Sequence, residues 1–472
     1  MRQRHVTVLG AGIAGLAAAL HLARDGHAVV VVERDAQASG TPEDAFDWPR
    51  KGVAHFQLPH AFMPRGRKEL REGLPDVYDA LIAAGARDVD LRRKLPGELQ
   101  DGDEDLQYLA VRRPVIEWAL RDAVAREPRI EVFWDAEVSG LAVDGHRVTG
   151  IVAHGSSIHS DLVVDALGRR TKTPEWLAAA GVVEEPTETS DCGVVYYNRY
   201  YRLRDEFELP DGPWLLGPRG DLGYLGFSTF PGDNRTFAGL LAVPPGQPSS
   251  RALKQPAAFE AAISSIPAMR AWVDPDGVDP ITEVLTMAGL RNTYRSSESA
   301  DVMGLVAIGD AVCHSDPVLA LGLSFALIHA RQLAEALREH ADLGDAAAQL
   351  RARTAPLMRE RFDYASALDE QRLRMWTGGG VDLSGPEGDF ELFTLVAGGV
   401  AALKDPDVFR RVVRRIGLLE TLSVLDDDPE LLGRVGSIFR AESAVTRPPA
   451  GPTSDEMTEI TELALAVAGH SA

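Results

Sequence analysis

Cysteine, positive charge and long apolar stretches are all scarce in this sequence, and each shortage excludes a class of protein. Its two cysteines cannot build a disulfide framework, and no group of histidines and cysteines has the spacing of a zinc site. Lys and Arg number 49 against 70 Asp and Glu, and the net charge of −21 repels nucleic acids and anionic membranes. We therefore predict a cytoplasmic protein without structural metal, nucleic-acid partner or stable membrane insertion.

The most nearly continuous apolar stretch runs from Val6 to Leu20. His21 and Arg24 interrupt it before the roughly 18 apolar residues that a transmembrane helix needs. No small-residue cleavage site follows it, so a signal peptide is not expected. The glycines at its start have a different explanation.

These glycines have the pattern of a dinucleotide-binding unit. His5 to Leu9 is a short apolar strand, and Gly10 to Gly15 follows it with the sequence GAGIAG and opens an alanine-rich helix. In this motif the first glycine makes a tight turn, the second lets the backbone approach a pyrophosphate, and the third lets the helix pack closely on the strand. The N–H groups at the helix N-terminus would then face the phosphates.

A second strand, Ala28 to Val32, supports this interpretation because it ends in Glu33. A carboxylate at this position accepts hydrogen bonds from the hydroxyls of an adenosine ribose and disfavours the 2′-phosphate of NADP. The N-terminal unit alone leaves FAD and NAD as alternatives.

A later segment favours FAD. Gly309 to Cys313 follows an apolar strand, and Pro317 and then Gly322 to Ser324 lead into a helix. With the N-terminal unit, this segment resembles the FAD-dependent monooxygenases related to aromatic hydroxylases, and more narrowly the branch of bacterial polyether epoxidases and related oxidoreductases. The resemblance implies that Asp310 holds the ribityl hydroxyls and that the helix start lies near the flavin pyrimidine edge, where a helix N-terminus stabilises the anion of reduced flavin.

Three further segments are similar to the same family. Arg113 to Arg121 resembles a helix whose leading arginine reaches the cofactor, and Leu162 to Arg169 resembles the family's Asp-Gly strand and turn. Trp48 to Val53 is similar to the Arg-x-Gly-Val loop of the epoxidase branch. The last similarity implies that Arg50 lies near the flavin or its pyrophosphate.

Two departures from the family pattern bear on the source of electrons. Leu167 stands where aspartate is usual, and Ala320 replaces a glycine that is common upstream of Gly322. NAD(P)H is therefore expected to act either directly or through a partner flavin reductase. The cofactor-binding residues that the resemblance implies are Gly10, Gly12, Ile13, Ala14, Gly15, Glu33, Arg34, Arg50, Arg113, Val138, Asp310, Pro317, Gly322, Leu323 and Ser324.

The middle of the chain has the alternating pattern of an antiparallel sheet, in the runs Gly193 to Tyr201, Gly223 to Phe230 and Thr236 to Val243. In the family such a sheet roofs the flavin. Its aromatic side chains are then candidate walls of an apolar substrate pocket, although aromatic residues in a sheet are also common core residues. These candidates are Tyr196, Tyr200, Tyr224, Phe227 and Phe230.

The predicted fold class is mixed α/β, with a discontinuous Rossmann-like FAD-binding domain. Its first part covers residues 1–175, with a loop region at about 40–105 near the flavin, and its second part covers 286–345. An antiparallel-sheet substrate domain at 176–285 is inserted between them, and residues 346–472 form a helical C-terminal region.

The function implied by the resemblance is an FAD-dependent monooxygenase. It would use molecular oxygen, through a flavin hydroperoxide, to epoxidise or hydroxylate an apolar, natural-product-like molecule. The flavin carries this chemistry, so we predict no catalytic side chain and interpret His55, His60 and His314 as structural.

Three alternatives remain at this point. An FAD-dependent reductase or dehydrogenase acting on carbon–carbon bonds would share the cofactor segments. A flavin-dependent halogenase would have a WxWxIP motif, which is absent here. A non-catalytic FAD-binding redox sensor would lack a pocket on the flavin side.

Overall fold

The computed structural model describes residues 3–153, 155–182, 187–247, 249–296, 302–445 and 450–470. The strands in this part of the chain are β1 (His5–Leu9), β2 (Ala28–Val32), β3 (Arg87–Asp90), β4 (Gln107–Ala110), β5 (Ile130–Phe133), β6 (Val138–Asp144), β7 (Arg147–Ala153), β8 (Ser156–His159), β9 (Leu162–Asp165), β10 (Glu188–Asp191), β11 (Val195–Leu203), β12 (Arg219–Asp221), β13 (Gly226–Pro231), β14 (Thr236–Val243), β15 (Val278–Pro280), β16 (Leu285–Met287), β17 (Arg291–Tyr294), β18 (Leu305–Ala307) and β19 (Cys313–His314).

The helices in the same residues are α1 (Ile13–Arg24), α2 (Pro64–Gly73), α3 (Pro75–Ala83), α4 (Arg113–Ala125), α5 (Thr173–Ala179), α6 (Pro256–Ser265), α7 (Pro267–Arg270), α8 (Gly322–Glu339), α9 (Leu343–Trp376), α10 (Phe390–Ala402), α11 (Pro406–Ile416), α12 (Ser423–Asp426), α13 (Pro429–Ser443) and α14 (Ser454–His470). Within the described ranges, no helix is both long enough and apolar enough to span a membrane.

A parallel sheet forms the first layer, in the strand order β18-β9-β1-β2-β5. Its strands are short and rich in valine, and α1, α4 and α8 pack on it through one large apolar cluster. Strand β18 joins β9 although it comes much later in the chain. The sheet therefore combines the N-terminal unit with the segment around Asp310, as expected for a Rossmann-like fold.

Two glycines allow the turn from β1 into α1. Gly10 has a φ of +97°, and a Cβ atom there would lie 2.8 Å from the carbonyl oxygen of Ala166. A Cβ atom on Gly15 would lie 2.0 Å from the carbonyl oxygen of Gly10. Neither position has room for a side chain, so α1 can start immediately above the sheet.

A six-stranded antiparallel sheet forms the second layer, in the order β12-β13-β14-β11-β15, with β16 also paired to β11. One face of this sheet packs against α6 and α7 in an apolar cluster. The opposite face carries a second cluster, which includes Tyr196, Leu240 and Trp376. The predicted antiparallel sheet and the mixed α/β fold class are confirmed.

The C-terminal region is helical, as predicted. Helix α9 is 34 residues long, and α10 to α14 follow it. Helices α10, α11 and α13 pack against β4 through the cluster that contains Tyr108 and Phe393. The C-terminal region therefore covers the loop region between β2 and α4.

A buried polar network connects the antiparallel sheet, the loop before α8 and helix α9. The Nη2 atom of Arg372 lies 2.8 Å from carboxylate oxygens of both Asp316 and Asp369, and 2.9 Å from the carbonyl oxygen of Cys192. The hydroxyl of Tyr196 donates to Asp316 at 2.5 Å. Three distant segments of the chain therefore meet at one guanidinium.

The side chains of Cys192, Asp316 and Asp369 also lie close enough together to suggest a metal site. However, the positive charge of Arg372 already lies against both acids. Burial raises the pKa of the Cys192 thiol, which disfavours the thiolate that binds metals. We interpret the cluster as an ion-pair network.

At neutral pH, one of the two buried carboxylates of this network keeps a proton that it would lose in water. Burial and the nearby charge of Asp316 raise the pKa of Asp369, whereas Arg372 helps to hold the pKa of Asp316 below its ordinary value despite burial. Two buried carboxylates with one guanidinium would otherwise leave an uncompensated negative charge. Asp369 is therefore the protonated member of the pair.

We predict that Asp369→Asn reduces the loss of stability at alkaline pH. At neutral pH the folded protein holds a proton on Asp369 that the unfolded chain, with a pKa of about 3.9, has released. The stabilisation from this proton is complete at a pH below the pKa of the unfolded chain. Between the unfolded and the folded pKa, the free energy of unfolding falls by about 1.4 kcal/mol per pH unit. Asparagine resembles the protonated acid, so the variant should lack this slope.

The measurement is the thermal midpoint of unfolding from about pH 5 to about pH 9, across the window of the raised pKa. Asp363→Asn is the matched control, because Asp363 is an exposed residue of the same helix and pairs with Arg359. Equal pH slopes for the wild type and Asp369→Asn would show that Asp369 is ionised in the folded protein.

Candidate functional site

The candidate site is a cavity at the carboxyl ends of four parallel strands. Its walls include residues that follow β1, β2, β9 and β18, together with the loop after β2 and the start of α8. Open α/β sheets bind ligands at this edge. The cavity is therefore where a cofactor held by the Rossmann-like unit would lie.

The structure brings most of the predicted cofactor residues to this one cavity. Those that line it are Gly10, Gly12, Ile13, Ala14, Glu33, Arg34, Arg50, Arg113, Val138, Asp310, Pro317, Gly322 and Leu323. Gly15 and Ser324 do not line it. Gly15 instead packs α1 on the strand, and the buried Ser324 hydroxyl lies close to Gly66 in α2.

The first end of the cavity has the geometry of a pyrophosphate site. Gly12 caps the N-terminus of α1, and a Cβ atom added to it would meet no other atom within 4 Å. The glycine therefore borders open space, and the N–H groups of the first helical turn are available to an anion. Ile13 and Ala14 in that turn also line the cavity.

Glu33 lies beside this helix start at the end of β2. Its carboxylate accepts hydrogen bonds from the backbone N–H of Ala11 at 2.8 Å and of Asp35 at 2.9 Å. Burial opposes its charge, but Arg50 and these N–H groups together lower the pKa of Glu33. The group is therefore an ionised acceptor, as binding of ribose hydroxyls requires.

Arg50 lines the cavity, but its guanidinium binds protein carboxylates. It lies within 3.2 Å of Glu33, 2.8 Å of Asp35 and 3.0 Å of Glu117. Its Nη2 atom donates to the carbonyl oxygen of Ala11 at 3.2 Å. Arg50 thus stands on the Glu33 side of the cavity and connects the loop after β2 to α1 and α4.

The other end of the cavity is formed by Asp310 and the start of α8. His314 lies 3.1 Å from the Asp310 carboxylate, and a Cβ atom on Gly322 would lie 3.5 Å from it. Burial alone would favour the neutral acid, but His314 and other nearby basic groups lower the pKa of Asp310. A charged acceptor therefore borders a helix N-terminus, the arrangement that the resemblance implies for the ribityl and pyrimidine groups of FAD.

Two histidines and one arginine line the wall between these ends. The Nδ1 atom of His60 donates to the carbonyl oxygen of Leu58 at 2.8 Å, and Arg113 lies 3.4 Å from its other ring nitrogen. Burial and then Arg113 lower the pKa of His60 to about 3, and the same causes lower that of His55. Both histidines are therefore uncharged at neutral pH.

The predicted substrate aromatics divide between the two faces of the antiparallel sheet. Tyr196, Tyr200 and Phe230 share one face by register, and Tyr196 contacts Asp316 at the cavity wall. Tyr224 and Phe227 pack on the opposite face, in the core cluster with α6. None of these five residues lines the cavity. Phe227 points away from it because side chains alternate along β13, and the prediction did not specify which residues of that strand face the cavity.

Sequence reasoning missed several residues near the cavity. Asp316, Met287 and Leu290 line it, while Asp369 and Arg372 support Asp316 from α9. Asp316 is adjacent to the predicted Pro317, and this Asp-Pro pair was the available signal. Nothing in the local sequence connects it to α9.

Comparisons with known proteins agree with this geometry. A family model described as "FAD dependent oxidoreductase" matches residues 5–170. A relative over nearly the whole chain is "Protein Rv3254" of Mycobacterium tuberculosis, with 27% identity over 91% of this chain and 92% of that protein.

Two solved structures share the fold. PqsL of Pseudomonas aeruginosa, a probable FAD-dependent monooxygenase, has a TM-score of 0.55 at 18% identity and covers 80% of this chain and 99% of its own. The flavin-dependent brominase Bmp2 has a TM-score of 0.60 at 17% identity and covers 93% of this chain and 98% of its own. Residues 5–170 therefore match a model of FAD-dependent oxidoreductases, and the chain shares its fold with PqsL and Bmp2.

Proposed function

We propose that this protein is an FAD-dependent monooxygenase that transfers one atom of molecular oxygen to an apolar organic molecule. The observation that carries the proposal is a single cavity that joins the start of α1 and Glu33 at one end to Asp310 and the start of α8 at the other. This cavity lies next to a sheet face that carries apolar side chains. A non-catalytic FAD-binding redox sensor would need the pyrophosphate and ribose end of this cavity, but it would not need the pocket near Asp310 and the start of α8.

The residues present fit FAD. The N-terminus of α1 faces the position of a pyrophosphate, and Glu33 is an ionised acceptor for the adenosine ribose. Asp310 is an ionised acceptor for the ribityl hydroxyls, and the α8 N-terminus places positive dipole character near the pyrimidine edge. When bound, FAD supplies electron transfer and oxygen activation.

The protein's own contribution is orientation and exclusion of water. The two buried histidines of the wall, His55 and His60, are neutral at neutral pH and therefore carry no readily released proton. No side chain of the described cavity is needed as a nucleophile. On the side of the antiparallel sheet, Met287 and Leu290 line the cavity and give an apolar substrate a wall to pack against.

The source of electrons belongs to the same proposal. Leu167 and Gly168 line the cavity where the family pattern has Asp-Gly, and the change to leucine removes an acceptor for a nicotinamide cofactor. NAD(P)H acting directly or through a partner flavin reductase, in the cytoplasm, remains our expectation.

Oxygen labelling tests the proposed reaction. FAD-loaded protein is supplied with NADH, NADPH and a separate flavin reductase, together with polycyclic aromatic substrates, under heavy-isotope molecular oxygen. A monooxygenase should give a product that contains one heavy oxygen atom, detected by mass spectrometry. A product that has gained or lost hydrogen without oxygen would instead establish the reductase or dehydrogenase alternative.

Gly12→Val tests the placement of the cofactor. Gly12 has a φ of −82° and borders open space, so valine should fit without strain and leave the thermal midpoint unchanged. Its side chain would fill the space needed by the pyrophosphate. We expect FAD affinity to fall at least about 100-fold, roughly 2.7 kcal/mol, in a fluorescence titration.

Two variants accompany this measurement. Gly433→Val places the same side chain in open space on α13 and should leave FAD affinity unchanged. Gly15→Ala should lower the thermal midpoint, because its Cβ atom would lie 2.0 Å from the Gly10 carbonyl oxygen. Retention of stoichiometric FAD by a folded Gly12→Val protein would contradict the assigned pyrophosphate position.

A further inference from the structure

The cavity continues past Glu33, on the side away from the start of α1. The backbone N–H of Ala136 donates to the carbonyl oxygen of Glu33 at 2.9 Å, and Ala136 and Val138 both line the cavity. In a dinucleotide the ribose stands between the pyrophosphate and the base. A cofactor with its pyrophosphate at α1 and its ribose at Glu33 would therefore have its adenine beside Ala136 and Val138, which we call the adenine end.

Helix α5 brings one large aromatic ring to the adenine end. Trp176 lines the cavity and packs against the apolar cluster that contains Val32 and Ala136. The backbone N–H of Trp176 donates to the carbonyl oxygen of Lys172 at 3.0 Å, and the Lys172 ammonium lies 4.0 Å from the Glu137 carboxylate. This ion pair connects α5 to the residue after Ala136. The indole therefore stands beyond the ribose position rather than near the start of α8.

Trp176 differs in its position from the other tryptophans. All seven tryptophans lie within the described ranges, and Trp176 is the one that lines the cavity. The others pack on the protein or bind other side chains, and they are Trp48, Trp118, Trp134, Trp214, Trp272 and Trp376. No phenylalanine or tyrosine of the described ranges lines the cavity. Trp176 is therefore the large aromatic surface that a ligand in this cavity meets.

The Trp176 ring has surface to offer because it is only partly buried. Its neighbour Leu177 is fully buried in the same apolar cluster and holds α5 in place. The indole also lines an adjoining groove, together with Ser139 and Gly155. A large ring that borders open space gains stability when a flat apolar group covers it.

Adenine is a group of this kind. Nucleic acid bases stack on aromatic side chains, and one such stack contributes roughly tenfold to a hundredfold in affinity. Arg34 follows Glu33 and lines the same cavity, and a guanidinium plane is a second surface on which bases stack. The adenine end thus has the apolar walls and the flat ring that a purine requires.

We propose that the indole ring of Trp176 stacks on the adenine ring of FAD and makes the site selective for FAD over FMN. This inference rests on the proposed function for the identity of the cofactor, and it concerns how the cofactor is bound rather than the reaction. FMN has the flavin and one phosphate but lacks the adenosine. It therefore has no group that would reach Trp176 from the Asp310 end of the cavity.

The experiment measures the binding of FAD, FMN and ADP by calorimetry to the full-length protein from which flavin has been removed. The wild type is compared with Trp176→Phe and Trp176→Leu, which are both apolar, although only phenylalanine keeps an aromatic ring. We expect Trp176→Leu to lose about tenfold or more in affinity for FAD and for ADP, because ADP carries the adenosine half alone. Trp176→Phe should lose less than Trp176→Leu, and FMN affinity should not change.

A matched variant and a second readout control the measurement. Trp214 is also partly buried, and its ring packs on Gly212 outside the cavity, so Trp214→Leu should bind all three ligands like the wild type. Adenine that stacks on an indole quenches its fluorescence. ADP should therefore quench the wild type and Trp214→Leu but not Trp176→Phe.

Three results would overturn the proposal. They are the absence of ADP binding to the wild type, unchanged FAD and ADP affinity in Trp176→Leu, and equal losses of all three ligands in both Trp176 variants, since equal losses would show that Trp176 only supports the fold. Weaker ADP binding by Trp176→Leu, without oxygen transfer in the labelling experiment, would uphold the stacking and reject the monooxygenase function. Oxygen transfer by the wild type, with full ADP affinity in Trp176→Leu, would do the reverse.

Discussion

The contact of Arg372 with Asp316 and Asp369 is the interaction on which the arrangement of the site depends. It holds the loop before α8, helix α9 and the approach to β11 at one point. All three side chains are buried, so loss of the guanidinium would leave two acids and one proton without compensation. Removing one partner of such a pair typically costs about 3–5 kcal/mol. The network therefore fixes the antiparallel sheet over the cavity and Asp316 in its wall.

Charge is distributed unevenly between the outside of the protein and its site. The chain has a net charge of −21, yet Arg34, Arg113, Arg169 and Lys172 all line the cavity. An acidic exterior with cations in a cavity favours small anionic ligands over large polyanions. FAD is such a ligand. Arg121 shows another solution for a buried cation, since Trp48 and Trp134 rings lie within 4.9 Å of its guanidinium carbon.

Much of the fold followed from local sequence because its signals are local. The turn at Gly10, the acid at the end of β2 and the helix start at Gly322 each depend on a few adjacent residues, and their chemistry is readable from the sequence. The face of the sheet to which each aromatic side chain points was harder to predict. Phe227 and Tyr196 are both aromatic residues of predicted strands, but the alternation of side chains along a strand directs them to opposite faces.

The remaining features could not be predicted from the sequence, because they depend on residues far apart in the chain. Asp316 and Asp369 come together only after α9 packs against β17 and the loop before α8.

The most direct test of the account is the absorbance of FAD-loaded protein during reoxidation. The protein is reduced without oxygen and then mixed rapidly with oxygenated buffer, and spectra are recorded until the oxidised flavin returns. A monooxygenase site that excludes water predicts a transient spectrum belonging to neither reduced nor oxidised flavin. A direct, single-step return to the oxidised spectrum would contradict oxygen transfer at this site and favour a reductase or dehydrogenase.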